Sequence, residues 1–121
     1  MTVRGIMFVI LAAFAVGCSS GSSATVTAPS SGSPGGPSVS IVSGASVLST
    51  TAYSPNPLTV SRGSTVTFVN NDSAAHTATS ATFDTKVIAP GARVSVTLQD
   101  TGSITYRCTI HPGMTGTITV Q

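Results

Sequence analysis

The chain has 121 residues, only 7% of them charged, and its five basic and three acidic residues give a formal net charge of +2. Ordinary soluble domains carry about 25% charged residues, so this composition argues against a module that is steered by charge. The basic residues are scattered rather than clustered, which predicts that the protein binds no nucleic acid.

The scarcity of acidic residues excludes two further classes of site. The only carboxylate side chains belong to Asp72, Asp84 and Asp100. These are too few for a hard-cation site or for a hydrolase built on a pair of carboxylates. No Ser-His-acid arrangement is available that leaves the histidines free for another role. We therefore expect a protein that is not an enzyme.

Residues 1–17 have the composition of an export signal. One positive charge, at Arg4, precedes a small and apolar run from Gly5 to Gly17. This run is shorter than the ~18–20 residues that a membrane-spanning helix needs, and its N-terminal position suits the apolar region of a signal peptide. We expect the protein to be exported to the cell envelope or periplasm.

The end of this run resembles a bacterial lipobox. It reads Ala15-Val16-Gly17-Cys18, which predicts cleavage before Cys18, lipidation of its thiol and attachment to a membrane. Lipoboxes usually carry Leu where this chain has Ala15, so an ordinary signal peptide that releases a soluble protein is the alternative.

Residues 18–38 are rich in Ser, Gly and Pro and hold almost no large apolar side chain. Such a segment buries too little surface to offset its conformational entropy. We expect it to be a flexible tether that precedes a single folded domain at residues 39–121.

The predicted domain shows the period-2 alternation of β-strands and no helical spacing. Val66 and Phe68 share one face of a predicted strand, and further inward sets follow along the chain: Val94, Val96 and Leu98, then Ile104, Tyr106 and Cys108, then Ile118 and Val120. Turn residues separate these runs. The pattern predicts an all-β fold, an antiparallel β-sandwich.

Near the C-terminus, Cys108, His111 and Met114 follow one another at intervals of three residues. Cys108 ends a predicted strand with its thiol inward, and the turn-like residues after His111 allow sulfur and imidazole to converge. The other histidine, His76, lies in a loop after a predicted strand. A thiolate, two imidazoles and a thioether are the ligand set of a blue-copper site. Zinc is the alternative, although structural zinc sites want four firm ligands and the fourth here is only Met114.

The segment from about Val47 to Gln121 resembles the small cupredoxins, the group of plastocyanin, pseudoazurin, azurin and amicyanin. The matching stretches are Leu58-Thr59-Val60, residues 63–72, His76-Thr77, residues 102–108 and residues 111–116. Two residues in each gap of the Cys108, His111 and Met114 motif look like amicyanin. The family commonly has Asn after the first histidine, where this chain has Thr77.

The resemblance implies a Greek-key sandwich that holds one copper ion, cycling between Cu(I) and Cu(II). The implied ligands are His76 from inside the fold, Cys108 as thiolate, His111 at the rim and Met114 as axial ligand. Around them the resemblance implies supporting roles for Thr77, Thr109 and Asn70. It also implies an apolar patch for partner docking, made of Ala74, Ala75, Ile110, Pro112 and Gly113.

The leading functional hypothesis is therefore an exported, monomeric blue copper protein that carries single electrons between transient redox partners. Copper buffering or delivery is the alternative, and an adhesion or signalling module with incidental copper is a third possibility. The rate of copper exchange distinguishes electron transfer from copper delivery. A delivery protein must release its copper, whereas an electron-transfer protein retains it.

Overall fold

The structure, a computed structural model, describes residues 35–121. The predicted signal peptide, the predicted lipidation site Cys18 and residues 18–34 of the predicted tether lie outside the described residues. The first strand begins at Ser38, where the predicted tether ends. Among residues 35–121, no helix has the length and apolar character needed to cross a membrane.

Seven short strands build the described part of the chain. They are β1 (Ser38–Ile41), β2 (Tyr53–Ser54), β3 (Leu58–Val60), β4 (Thr65–Asn70), β5 (Arg93–Thr97), β6 (Gly102–Arg107) and β7 (Thr115–Val120), with one 3₁₀ turn at Ala45–Val47. The strands form two sheets, ordered β2-β1-β4-β5 and β3-β7-β6. This arrangement confirms the predicted β-sandwich.

The pairing within the sheets differs from the expected wholly antiparallel one. Strands β1 and β4 run parallel, as do β3 and β7, while the β4–β5 and β6–β7 pairs are antiparallel. Both sheets are therefore mixed. Alternation of apolar residues shows which face of a strand is buried, but it carries no information on the direction of the neighbouring strand.

The core lies between the sheets and follows the alternation of the strands. Val66, Phe68 and Ile118 are completely buried, and Val120 is 3% exposed. The inward residues of β5, Val94 and Val96, are only half-buried. They pair with Phe68 and Val66 but belong to the edge strand of their sheet, which has a neighbour on one side only.

An aromatic cluster fills the core beneath the predicted site. The Tyr106 ring packs edge-on against Tyr53 and Phe68, with ring centroids 4.8 and 5.4 Å away, and Phe83 packs against the same cluster. Gly116 is paired opposite Tyr106 in the β6–β7 ladder, and a Cβ atom at this glycine would overlap the Tyr106 ring. The absence of a side chain at Gly116 thus allows the ring to lie directly on β7.

Two connections meet at one end of the sandwich. The β4–β5 connection carries His76, and Cys108 directly follows β6. Thr79 and Arg107 exchange two backbone hydrogen bonds, with N···O distances of 2.9 and 3.0 Å, which fix the first connection against the end of β6. The fold therefore places His76 beside Cys108.

Candidate metal centre

The structure brings together three of the predicted ligands. The Cys108 Sγ atom lies 3.8 Å from His76 Nδ1 and 3.9 Å from His111 Nδ1, and the two Nδ1 atoms are 3.1 Å apart. His76 and Cys108 are completely buried, and His111 is half-buried. These atoms form the one group of three or more potential metal-binding side chains found among residues 35–121.

Met114, the fourth predicted ligand, is completely buried at the end of the same loop. Its carbonyl accepts a hydrogen bond from the Cys108 N–H at 3.1 Å, and its own N–H donates to the His111 carbonyl at 3.0 Å. These bonds fold residues 108–114 into a closed turn. Met114, with its buried side chain, therefore belongs to the same closed loop as Cys108 and His111.

The environment of Cys108 favours its thiolate. Burial opposes ionisation of the thiol, but hydrogen bonds from the Thr77 and His111 backbone N–H groups, with N···Sγ distances of 3.3 and 3.4 Å, favour the charged sulfur. The net effect of these hydrogen bonds lowers the pKa of Cys108 to about 6. At neutral pH most of the thiol is ionised, which is the form that binds metals.

Thr77, the residue after His76, connects the two ligand-bearing loops. Its hydroxyl lies 3.2 Å from the Thr109 hydroxyl and accepts a hydrogen bond from the Thr109 N–H at 2.9 Å. Its backbone N–H is the group that donates to Cys108 Sγ. Thr77 thus contacts both the sulfur and the residue that follows it.

Asn70 supports the loop before His76 from its position at the end of β4. Its completely buried side-chain amide donates to the carbonyls of Ala74 and Ile88, at 2.8 and 2.9 Å, and its Oδ1 accepts from the Asp72 N–H at 2.9 Å. His76 and Ile88 exchange two further backbone hydrogen bonds. The His76 backbone is therefore held on both sides.

Asp72 is a site residue that the sequence analysis missed. Its Oδ2 lies 2.7 Å from His76 Nε2, and its Oδ1 accepts from the N–H groups of Gly44 and Ser73 at 3.0 and 2.8 Å. The hydrogen bond with His76, followed by the one from Gly44, lowers the pKa of Asp72 to about 2. The available signal was a carboxylate four residues before a proposed ligand histidine, since metal-binding histidines usually donate their second N–H to such a group.

Tyr53 is the second residue that the sequence analysis missed. Its hydroxyl donates to the Thr77 carbonyl with an O···O distance of 2.5 Å, inside the core. Burial raises the pKa of Tyr53, so its phenol stays protonated and able to donate. No sequence pattern relates Tyr53 to Thr77, because the two residues come together only through the fold.

The predicted docking residues lie on the two loops that carry the proposed ligands. Ala74 and Ala75 are half-buried, Pro112 and Gly113 are exposed, and Ile110 is 45% exposed. Two other large apolar side chains are more exposed still, Val47 at 88% and Val87 at 62%. Val87 precedes Ile88, the backbone partner of His76, and Val47 lies on the 3₁₀ turn that begins beside Gly44.

The donor set fits a copper ion. A buried thiolate and two imidazole Nδ1 atoms converge within 4.8 Å, and a buried methionine closes the same loop. Asp72 is occupied by three hydrogen bonds, so its carboxylate supports His76 instead of extending the donor set. Soft sulfur combined with imidazole is the ligand chemistry that selects copper over hard cations.

Comparison with known proteins agrees with the fold. A family model described as a cupredoxin-like domain matches residues 8–120. A plastocyanin from Prochlorothrix hollandica is 40% identical over 82 residues, which cover 57% of this chain and 63% of the plastocyanin. This chain thus spans less than two thirds of the length of that relative.

Two solved structures share the fold. A purple cupredoxin from Nitrosopumilus maritimus has a TM-score of 0.66 at 28% identity, covering 70% of this chain and 99% of that protein. The reduced Cu(I) form of an amicyanin variant has a TM-score of 0.61 at 23% identity, covering 75% and 87% of the two chains, a likeness of fold alone. Because the family model matches residues 8–120, almost the whole of this chain, the chain belongs to the cupredoxin family.

Proposed function

We propose that this protein is a mononuclear blue copper protein that carries single electrons between redox partners. The proposed ligands are His76, Cys108, His111 and Met114. The observation that carries the proposal is the convergence of Cys108 Sγ with two imidazole Nδ1 atoms in a largely buried cluster. Copper bound there would supply a one-electron couple between Cu(I) and Cu(II).

The surrounding protein is suited to hold these ligands still. Backbone N–H groups fix Cys108 Sγ, Asn70 braces the loop before His76, and the Thr77–Thr109 contact joins the two loops. Since the supporting bonds are already formed, the side chains need little rearrangement when the metal changes its charge. A small rearrangement of the ligand side chains favours rapid electron transfer.

Electron exchange is proposed to occur at His111 and the apolar residues around it. His111 is the half-buried member of the cluster, while His76, Cys108 and Met114 are completely buried. The predicted patch of Ala74, Ala75, Ile110, Pro112 and Gly113 offers a partner a surface made of residues without charged side chains. Such contacts fit brief complexes with interfaces at the small end of the range, whose association depends weakly on salt.

We also propose that the protein acts outside the cytoplasm as a monomer attached to a membrane through lipidated Cys18. The support for export and for the anchor is the sequence of residues 1–38 alone. Mass spectrometry of the exported protein tests it, since lipidation adds the mass of acyl chains to a chain that begins at Cys18. A product that begins elsewhere and carries no acyl chain would contradict the anchor.

The test of copper binding is an absorption spectrum of the purified protein after addition of Cu(II), followed by ascorbate. We expect an intense visible band from charge transfer between the Cys108 thiolate and Cu(II), which bleaches on reduction and returns on oxidation. Cys108→Ser removes the thiolate and is expected to abolish the band. A colourless protein that binds zinc in preference to copper would contradict the proposal.

Copper delivery is the competing function, and the burial of three proposed ligands argues against it. Release of a metal held by His76, Cys108 and Met114 requires the closed loop to open. We therefore expect slow transfer of copper to a chelator compared with electron exchange with a redox partner. Transfer to the chelator on the timescale of mixing would favour delivery instead.

A further inference from the structure

The Asp72 carboxylate is the buried acidic group of the described part of the chain, and it lies against a proposed ligand. Asp72 is 6% exposed, whereas Asp84 and Asp100 are exposed. Burial of an ionised carboxylate is costly unless hydrogen bonds and opposite charge compensate it. The position of Asp72 therefore calls for a compensating partner.

Hydrogen bonds compensate part of the cost of burying this carboxylate, and no Lys or Arg side chain of the described residues compensates the rest. Asp72 accepts from the Gly44 and Ser73 N–H groups and contacts His76 Nε2 at 2.7 Å. Within residues 35–121 the one ion pair that involves Lys or Arg is Lys86–Asp84, so no Lys or Arg of this region lies beside Asp72. A metal cation bound by His76 would place positive charge at the other end of the same imidazole ring.

The contact also determines which His76 nitrogen can bind a metal. A carboxylate only accepts hydrogen bonds, so His76 Nε2 must carry a hydrogen to donate to Asp72. The neutral ring then has an unprotonated Nδ1, and this is the atom that faces Cys108 Sγ. Asp72 thus holds His76 in the tautomer that presents a lone pair to the site.

His111 has no equivalent support. Among the described residues, the hydrogen bonds of its imidazole ring involve Nδ1, and none involves Nε2. The two imidazoles are therefore unequal, with His76 anchored by a carboxylate and His111 held chiefly by its loop.

We propose that Asp72 is a positioning residue that fixes the tautomer of His76 and makes the site favour Cu(II) over Cu(I). This inference rests on the proposed copper function. Charge counting gives its direction: Cu(II), the Cys108 thiolate and the Asp72 carboxylate sum to zero, whereas the same groups with Cu(I) carry one net negative charge. Removal of the Asp72 charge therefore weakens the oxidised state more than the reduced state.

The test compares the Cu(II) and Cu(I) dissociation constants of the wild-type protein and Asp72→Asn, each by competition with a chelator of known affinity. Substitution of a group that supports a metal-binding histidine typically weakens metal binding by about 10–100-fold. We expect a loss of this size for Cu(II) and a clearly smaller loss for Cu(I). Equal losses for both ions, or no loss, would overturn the proposal.

Asp100→Asn is the matched control. It removes the same charge from an exposed residue that precedes β6, while Cys108 follows the other end of that strand, about 20 Å away at ~3.3 Å per residue. Both affinities are expected to be unchanged in this variant. Loss of Cu(II) preference in both variants alike would show a general charge effect and would refute a specific role for Asp72.

A metal-free measurement separates this inference from the proposed function. The ¹⁵N chemical shifts of the imidazoles in the wild-type protein are expected to show His76 protonated at Nε2 and unprotonated at Nδ1. The opposite tautomer refutes the positioning role even if copper binds, while failure of the wild-type protein to bind copper refutes the proposed function and with it the Cu(II) preference. If Asp72→Asn does not fold, the affinities are measured in Asp72→Ser, whose hydroxyl can still accept a hydrogen bond without the charge.

Discussion

Tyr53→Phe tests how strongly the aromatic core supports the loop that carries His76. The substitution removes only the hydroxyl that donates to the buried Thr77 carbonyl, and the ring can keep its edge-on packing against Tyr106. A buried acceptor left without a partner costs about 1–3 kcal/mol. We expect the metal-free Tyr53→Phe variant to lose that much free energy of unfolding. For a domain of this size, each kcal/mol corresponds to a fall of about 4–8 °C in Tm.

Tyr106→Phe is the matched control, because the two tyrosines are neighbours with opposite hydrogen-bonding states. The Tyr106 hydroxyl is buried, and it has no hydrogen-bond partner among the described residues. Its removal deletes an unsatisfied polar group and leaves the ring packing intact, so we expect an unchanged or slightly increased stability.

Urea unfolding of the two variants and the wild-type protein is the assay. The urea concentration at the midpoint of unfolding is expected to fall for Tyr53→Phe and to stay the same or rise for Tyr106→Phe. The slope of the unfolding free energy against urea concentration, the m value, is expected to be unchanged in both variants. Equal destabilisation by the two substitutions would show that the ring environment dominates. That result would refute the reasoning from the Tyr53–Thr77 hydrogen bond.

Two further predictions concern the packing of Gly116 and the charge of Cys108. Gly116→Ala forces a Cβ into the Tyr106 ring, so we expect a loss of about 1–3 kcal/mol of unfolding free energy, whereas Gly113→Ala, which meets open space, is expected to cost much less; equal losses would contradict the close approach. The pKa of Cys108 is lowered from near 9.0 to about 6, so between these values the unfolded state binds the extra proton and stability rises with pH. Relative to Cys108→Ser, the free energy of unfolding of the metal-free wild-type protein is therefore expected to rise from pH 6 to pH 9. As the pH falls again through about 6, this added stability is lost. Urea midpoints of the two proteins that run parallel over this range would show that the thiol is not ionised in the folded state.

The sequence was sufficient to predict the sandwich and the membership in the cupredoxin family. Alternation identified Val66, Phe68, Ile118 and Val120 as core residues because a half-buried strand exposes every second side chain. The relative direction of neighbouring strands was not predicted. The parallel pairs, β1–β4 and β3–β7, join strands that are distant in the chain.

The candidate site likewise contains residues that the sequence could predict and residues that it could not. Cys108, His111 and Met114 lie in one short loop, so their proximity follows from their spacing. Asp72 lies four residues before His76, a spacing that is visible in the sequence, but its hydrogen bond from Gly44 and the one from Tyr53 to Thr77 join residues 28 and 24 positions apart. Such contacts arise from tertiary packing and leave no local pattern. The exposure of Val47 and Val87 was likewise unpredictable, because it depends on what the neighbouring loops leave uncovered.

The unequal distribution of the proposed ligands along the chain has a consequence for the order of folding. Closure of a short loop costs little conformational entropy, so Cys108, His111 and Met114 can gather while the rest of the chain is still unfolded. His76, 32 positions before Cys108, joins them only when the β4–β5 connection docks against the end of β6. Its arrival therefore marks the closure of the sandwich, and a refolding experiment that follows the His76 environment would time the slow, long-range step of assembly.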